Sequence, residues 1–153
     1  MKKAPIAWIT VGAEPAYPVW CLWLDDALYV VSGGAEQPAP GLDAASTVTV
    51  TARGDHNGRI VTWRAHPARV LPGSEEWETV VPQLAAKRLN GPPAAQLTER
   101  WAAGSALIRL APDGDPTEAA GTMPDGSLAA PPRPSPAVRE TAPPFRLHRV
   151  RRR

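Results

Sequence analysis

The stretch Pro18-Val19-Trp20-Cys21-Leu22-Trp23-Leu24-Asp25-Asp26-Ala27-Leu28-Tyr29-Val30-Val31-Ser32-Gly33-Gly34 decides the fold. Two strand-length apolar runs, rich in aromatic and β-branched side chains, flank Asp25-Asp26, whose residues suit a tight turn. They read as a hairpin. Neither run alternates apolar with polar residues, so each strand has side chains to bury on both faces. A strand covered on both sides belongs in the wall of a small barrel, or between a core and a partner subunit.

Outward from the hairpin, residues 6–11 read as a first short strand and residues 42–45 as a single helical turn. Residues 47–53 alternate cleanly, with Val48, Val50 and Ala52 on one face and threonines with Arg53 on the other. Residues 54–58 form a turn, and residues 60–71 return as a long strand in which Pro67 marks a bulge or an edge. Ser74 is a helix N-cap followed by Glu75 and Glu76, which suit the positive end of a helix. Trp77, Val80, Val81, Leu84, Ala85 and Leu89 recur at helical spacing up to a stop at Asn90-Gly91, with Pro82 expected to kink the helix or restart it. A second helix over 94–103 pairs Leu97 with Trp101, and residues 105–110 close the order as a strand. Antiparallel strands followed by a late helical pair predict an α+β domain built on a small barrel.

Composition sharpens the boundary. All six tryptophans precede residue 102, while nine of the 19 prolines fall in the last 42 residues. Residues 1–111 are electrically balanced, so the net charge of +2 comes from the tail. We therefore divide the chain into a domain at 1–111 and a Pro/Arg-rich tail at 112–153, expected to be disordered. A neutral body gives no reason to expect nucleic acid or an anionic membrane as the main partner, and the five arginines after residue 145 read as a solubilising end. A single cysteine excludes an intrachain disulfide and any multi-cysteine zinc site. Met1-Lys2-Lys3 ahead of residues 6–11 faintly resembles a signal peptide. Pro5, Thr10 and Gly12 interrupt it, so the expected location is cytoplasmic.

In its order of elements the chain resembles the FMN-binding split-barrel superfamily, the pyridoxamine 5'-phosphate oxidase-like proteins, and its small actinobacterial members in particular. The hairpin, the loop Glu36-Gln37-Pro38-Ala39-Pro40-Gly41-Leu42, the strand Thr47-Val48-Thr49-Val50-Thr51, and Trp63-Arg64-Ala65 leading into Val70-Leu71-Pro72-Gly73-Ser74-Glu75-Glu76-Trp77 carry the likeness. The resemblance implies an antiparallel split β-barrel that forms a homodimer, with FMN in a groove between subunits and its ring along the hairpin strands. It implies a flavin-dependent oxidoreductase acting on a small molecule, its phosphate held after the second hairpin strand.

Carried over by position, Ser32 matches the hydroxyl residue that closes the second hairpin strand. The residues taken as candidates are Ser32, Gly34, Gln37 and Arg53 around the polar end, with Trp23 and Trp63 near the ring. Glu36 and Gln37 stand where a cofactor-binding member shows Arg or Lys, and a carboxylate beside a phosphate dianion repels it. Backbone N–H groups of Gly33-Gly34, with Arg53 or Arg64, are the substitutes at hand.

Beside each reading stands a plainer one. Tryptophans in such runs more often pack a core than wall a ligand. Cys21 reads as a small buried hydrophobe. His56, His66 and His148 have no metal-ligand spacing, and no Walker loop, G-x-S-x-G or dinucleotide fingerprint is present. Two rival functions follow: a split-barrel binding or structural protein without cofactor, and a haem-type carrier for which His66 is the one plausible axial ligand.

Overall fold

The computed structural model describes residues 5–54, 58–88 and 91–123. Six strands follow as β1 (Ile6–Thr10), β2 (Tyr17–Leu24), β3 (Ala27–Ser32), β4 (Val48–Arg53), β5 (Arg59–Val70) and β6 (Ala106–Pro112). Helices α1 (Glu75–Lys87) and α2 (Ala94–Gly104) precede the last strand. Every named pairing is antiparallel, and the order β1-β2-β3-β6-β5-β4 closes into a barrel through β1 and β4.

The hairpin forms as its sequence dictates. Asp25 and Asp26 take φ values of 46° and 57°, and Leu24 pairs directly with Ala27. Two left-handed residues in a two-residue loop match the twist of the flanking strands, and Asp tolerates that conformation better than most side chains.

Period-two alternation then divides the hairpin between two cores. Val19 and Cys21 of β2 and Leu28 and Val30 of β3 point into the barrel, where they meet Ile9, Val50, Trp63, Ile108 and Leu110. The intervening Trp20, Leu22, Ala27, Tyr29 and Val31 point outward, against Trp77, Val80, Val81 and Leu84 of α1 and Leu97 and Trp101 of α2. The second cover demanded by the unbroken apolar runs is thus the helical pair. That settles the alternative for these strands, because no partner subunit is needed to bury them.

The helices carry local instructions of their own. Ser74 caps α1, its hydroxyl oxygen accepting the Trp77 N–H at 3.1 Å. The helix continues through Pro82, which lies on its exposed side, and ends at Lys87. Of the expected stop, Leu89 and Asn90 lie outside the described residues.

Two local expectations are corrected. Residues 42–45 do not make a helical turn. Gly41 enters the left-handed region at φ 76°, and two successive turns, Leu42 N–H to Ala39 O and Ala44 N–H to Gly41 O, replace it. That geometry drives Ala39 and Leu42 into the barrel core, where Leu42 is fully buried as a plug. The boundary at 111/112 also blurs. β6 extends to Pro112, and the chain then runs back along β5. The Asp113 N–H reaches Arg64 O at 2.8 Å, Thr62 and Glu118 exchange backbone hydrogen bonds, and Arg59 pairs with Glu118 at 2.9 Å. Residues 124–153, including the arginine-rich end, lie outside the described residues.

Pro67 occupies an edge as anticipated. It pairs with Leu110 of β6, while β4 has already ended opposite Ala65, so its missing N–H faces no β4 neighbour. Among the described residues no helix is long and apolar enough to cross a membrane.

The double burial of the hairpin is testable. Leu22→Ala should cost about 2–4 kcal/mol in urea denaturation, as for a core leucine. Thr49→Ala, on the outer face of β4 away from the helices, should cost less than about 0.5 kcal/mol. Equal, small effects would mean that the outer face of the hairpin is not covered.

Candidate functional site

Both faces and both edges of the hairpin are occupied over most of its length, so only its ends remain open to a ligand. At one end lie Asp25 and Asp26. A cavity of about 240 Å³ beside that turn is walled in part by Asp25, Glu75 and Glu76, an acidic setting hostile to an anion. At the other end β3 runs out at Ser32.

Ser32 shares the inward parity of Leu28 and Val30, so it stands at the barrel rim facing the interior. It is 8% exposed, and its Oγ accepts the Ala39 N–H at 2.8 Å, which pins the plug loop across the barrel mouth. The chain then turns through Gly33 (φ 82°) and Gly34 (φ 64°). A Cβ on Gly34 would sit 2.6 Å from the Gly104 carbonyl oxygen, so only glycine lets this turn lie against the end of α2. The Ser105 hydroxyl donates to Gly33 O at 2.9 Å and ties the same two segments together.

These segments line a cavity of about 440 Å³. Its wall comprises Ser32 and Gly33, the loop at residues 38–43, the stretch at 102–106, Ile108 and Arg69. The volume falls within the range of small-molecule sites.

Arg69 was not anticipated. Its register partner is Ile108, an inward residue, and counting back from Arg69 by twos along β5 reaches Pro67, Ala65 and Trp63, of which Ala65 and Trp63 are in the barrel core. A cation on the inward parity of a barrel strand was the available signal, and the parity follows from Trp63 and Ala65 alone.

Within one chain the six residues expected around a cofactor lie in separate places. Ser32 lines the large cavity, while Gly34 lines a neighbouring one of about 240 Å³ against Trp101 and Leu97. Gln37 accepts the Gly33 N–H through its backbone oxygen, and its side-chain Oε1 is buried without a partner among the described residues. Trp23 and Trp63 meet edge-to-face, centroids 6.1 Å apart, with Trp63 5% exposed in the barrel core. Arg53 closes β4 at the opposite end from the Ser32 rim, and its guanidinium stacks 4.5 Å above the Trp8 ring. Arg64, the other cation considered, is an exposed ion pair with Asp113 at 2.9 Å.

Glu36 has a different task from the one its position suggested. Its side chain is 4% exposed. One carboxylate oxygen accepts the Arg88 Nε at 3.1 Å and the other the Trp101 indole N–H at 3.1 Å. Arg88, the C-cap of α1, also stacks 4.6 Å above the Trp20 ring. The carboxylate therefore joins the β3 exit loop to both helices, and it is not part of the wall of the 440 Å³ cavity. Its charge is matched where it lies, so it does not oppose an anion at Ser32.

The remaining reactive groups are quiet. Burial pushes the Cys21 thiol up from its ordinary 9.0 to about 12, against the opposing pull of Lys87. The folded state keeps that proton through pH 9–12 while the unfolded chain has lost it, so stability falls as pH rises through this window. His66 Nδ1 lies 2.9 Å from Ser46 O and Nε2 3.5 Å from Asp113, on the surface and away from the cavity. His56 and His148 lie outside the described residues.

The cavity wall carries a cation and a carboxylate, Arg69 and Asp43, beside a serine hydroxyl that could hold an anionic group. Arg69 supplies a cation, and the Ser32 O–H has no acceptor among the described residues. Among the described residues no aromatic side chain walls this cavity.

No protein-family model matches the chain, and no curated protein does. Solved structures do. The haem storage protein HutZ from Vibrio cholerae superposes with a TM-score of 0.58 at 18% identity, over 74% of this chain and 84% of that one. The fold is a split barrel. Two looser overlaps are an FAD-binding protein from Mesorhizobium loti (TM-score 0.47, 15% identity, 74% of this chain and 82% of that one) and the flavocytochrome Anf3 from Azotobacter vinelandii (TM-score 0.38, 16% identity, 92% and 81%). These two are too distant to bear on the fold.

Two measurements check this picture. Trp101→Phe removes a donor from a buried carboxylate together with part of a buried ring, and should lower stability by at least about 1–3 kcal/mol in denaturant titration. A loss below about 0.3 kcal/mol would mean that Glu36 is not buried as described. Cys21 should resist iodoacetamide at pH 8 in the folded protein and react promptly in urea. Equal rates would contradict its burial.

Proposed function

We propose that this chain is a homodimeric, cytoplasmic split-barrel oxidoreductase that binds FMN, of the pyridoxamine 5'-phosphate oxidase-like kind, and acts on a small molecule. The observation that supports it most is the cavity at the β3 exit, where an inward arginine and a buried serine hydroxyl face a space of about 440 Å³. A phosphate needs cationic and N–H or O–H donors, and Arg69 and Ser32 are such donors. When bound, the flavin would supply the electron-transfer chemistry.

The chain's own residues bind and orient. Arg69 would offer its guanidinium to a phosphate, the Ser32 hydroxyl would donate a hydrogen bond to it, and the Gly33–Gly34 turn holds the rim against Ser105. With no aromatic residue among the described residues of the cavity wall, a flavin ring would need a surface outside it, which is why a dimer belongs to the proposal. HutZ is described as a haem protein, which keeps a planar cofactor in view for this fold. Haem suits the present residues less well, because both nitrogens of His66 already face partners outside the cavity.

A second reading, a cofactor-free binding or structural protein, draws on one specific observation. The loop that would carry basic phosphate ligands carries Glu36 instead, and that residue is spent on joining loop to helices.

The visible spectrum and an FMN titration of the purified chain separate the two. Bound flavin, lost about tenfold or more in affinity on Arg69→Ala, is expected from one charge-assisted contact. A colourless protein that takes up no FMN would leave the cofactor-free reading. Arg53→Ala, at the far end of β4, should leave FMN affinity unchanged. Weakening there and not at Arg69 would move the phosphate to the Trp8 face.

A further inference from the structure

Arg69 already has a companion in the same cavity wall. Its Nη1 lies 3.9 Å from Asp43 Oδ2, with the two side chains 53% and 51% exposed. That separation is an ion pair too long for a hydrogen bond, and such pairs at half-exposed positions are loose. Asp43 comes from the plug loop, directly after Leu42, whose burial in the barrel core fixes where the carboxylate stands. Ser32, at the same cavity, is 92% buried with its O–H unclaimed among the described residues.

Resting on the reading of this cavity as an anion pocket, we infer that Asp43 is a resident competitor that sets how tightly the pocket holds a phosphate group. In the free protein the Asp43 carboxylate lies beside the guanidinium in a loose ion pair. An entering phosphate must draw Arg69 away from it and then sit near a carboxylate of like charge. Both effects lower affinity, and both vanish when the carboxylate becomes an amide. The pocket is therefore tuned for an exchangeable phosphate-bearing ligand, and Asp43 is the residue that tunes it. It acts through Arg69 and the charge of the wall, so it is a specificity-determining position and takes no part in any chemical step.

The test uses the full chain and two probes, inorganic phosphate and FMN, with riboflavin as the phosphate-free control, followed by calorimetric titration. Asp43→Asn should tighten phosphate about two- to fivefold, with no change in riboflavin binding. In an Arg69→Ala background the same change should bring at most a small gain, because its main route is gone. Ser32→Ala should weaken phosphate in either background of Asp43. Asp43→Asn that leaves phosphate affinity unchanged, or an equal gain with Arg69 absent, overturns the inference. So does a failure of wild type and Asp43→Asn alike to bind phosphate. If FMN binds and responds to Arg69→Ala while Asp43→Asn does nothing, only the inference falls. If phosphate follows the expected pattern but FMN binds no better than phosphate, the inference stands and the flavin reading falls. A thermal-melt comparison of the variants without ligand separates folding defects from binding.

Discussion

Everything in this molecule depends on one ribbon that must be dry on both sides. The β2–β3 hairpin places Val19, Cys21, Leu28 and Val30 inside the barrel and Trp20, Leu22, Tyr29 and Val31 beneath the helices. Burial of that much apolar and aromatic surface is the dominant favourable contribution to such a fold. It also dictates where a ligand can go. With both faces closed within one subunit, the open space beside these strands lies at the rim.

At that rim the fold and the candidate site share parts. The glycine turn after Ser32 rests on the end of α2, and Glu36 reaches across to Arg88 and Trp101. Such a buried pair is worth most when fully satisfied, and removing one member leaves the other exposed to a large desolvation penalty. The same few residues that hold the helices on the barrel therefore hold the cavity wall in place. Leu42 does the equivalent from the loop side by plugging the barrel and fixing Asp43 beside Arg69.

Much of the fold was legible in the residues. Alternation in Val48, Val50 and Ala52, the cap at Ser74 and the positive-φ turn at Asp25-Asp26 are local signals, and each acts over a few residues. The doubly apolar hairpin announced a second cover but not its identity, because helical packing depends on contacts made some fifty residues later in the chain. The turn at residues 41–44 departed from a helix because Leu42 is drawn into a core that local propensity does not describe. The site was less legible. Arg53 and the Trp23–Trp63 pair looked like a clamp and a wall, yet strand polarity puts Arg53 at the far rim and packing uses the tryptophans. Arg69 carried its signal in plain parity with Trp63 and Ala65, but a single inward cation has meaning only once the strand is known to line a barrel.

Backbone amide chemical shifts during an FMN titration bear most directly on where this protein binds its ligand. Changes concentrated at Ser32, Gly33, Gly41, Arg69 and Ser105 are the expected result. Changes concentrated at Trp8 and Arg53, or along the hairpin turn at Asp25 and Asp26 with the β3 exit silent, would contradict it.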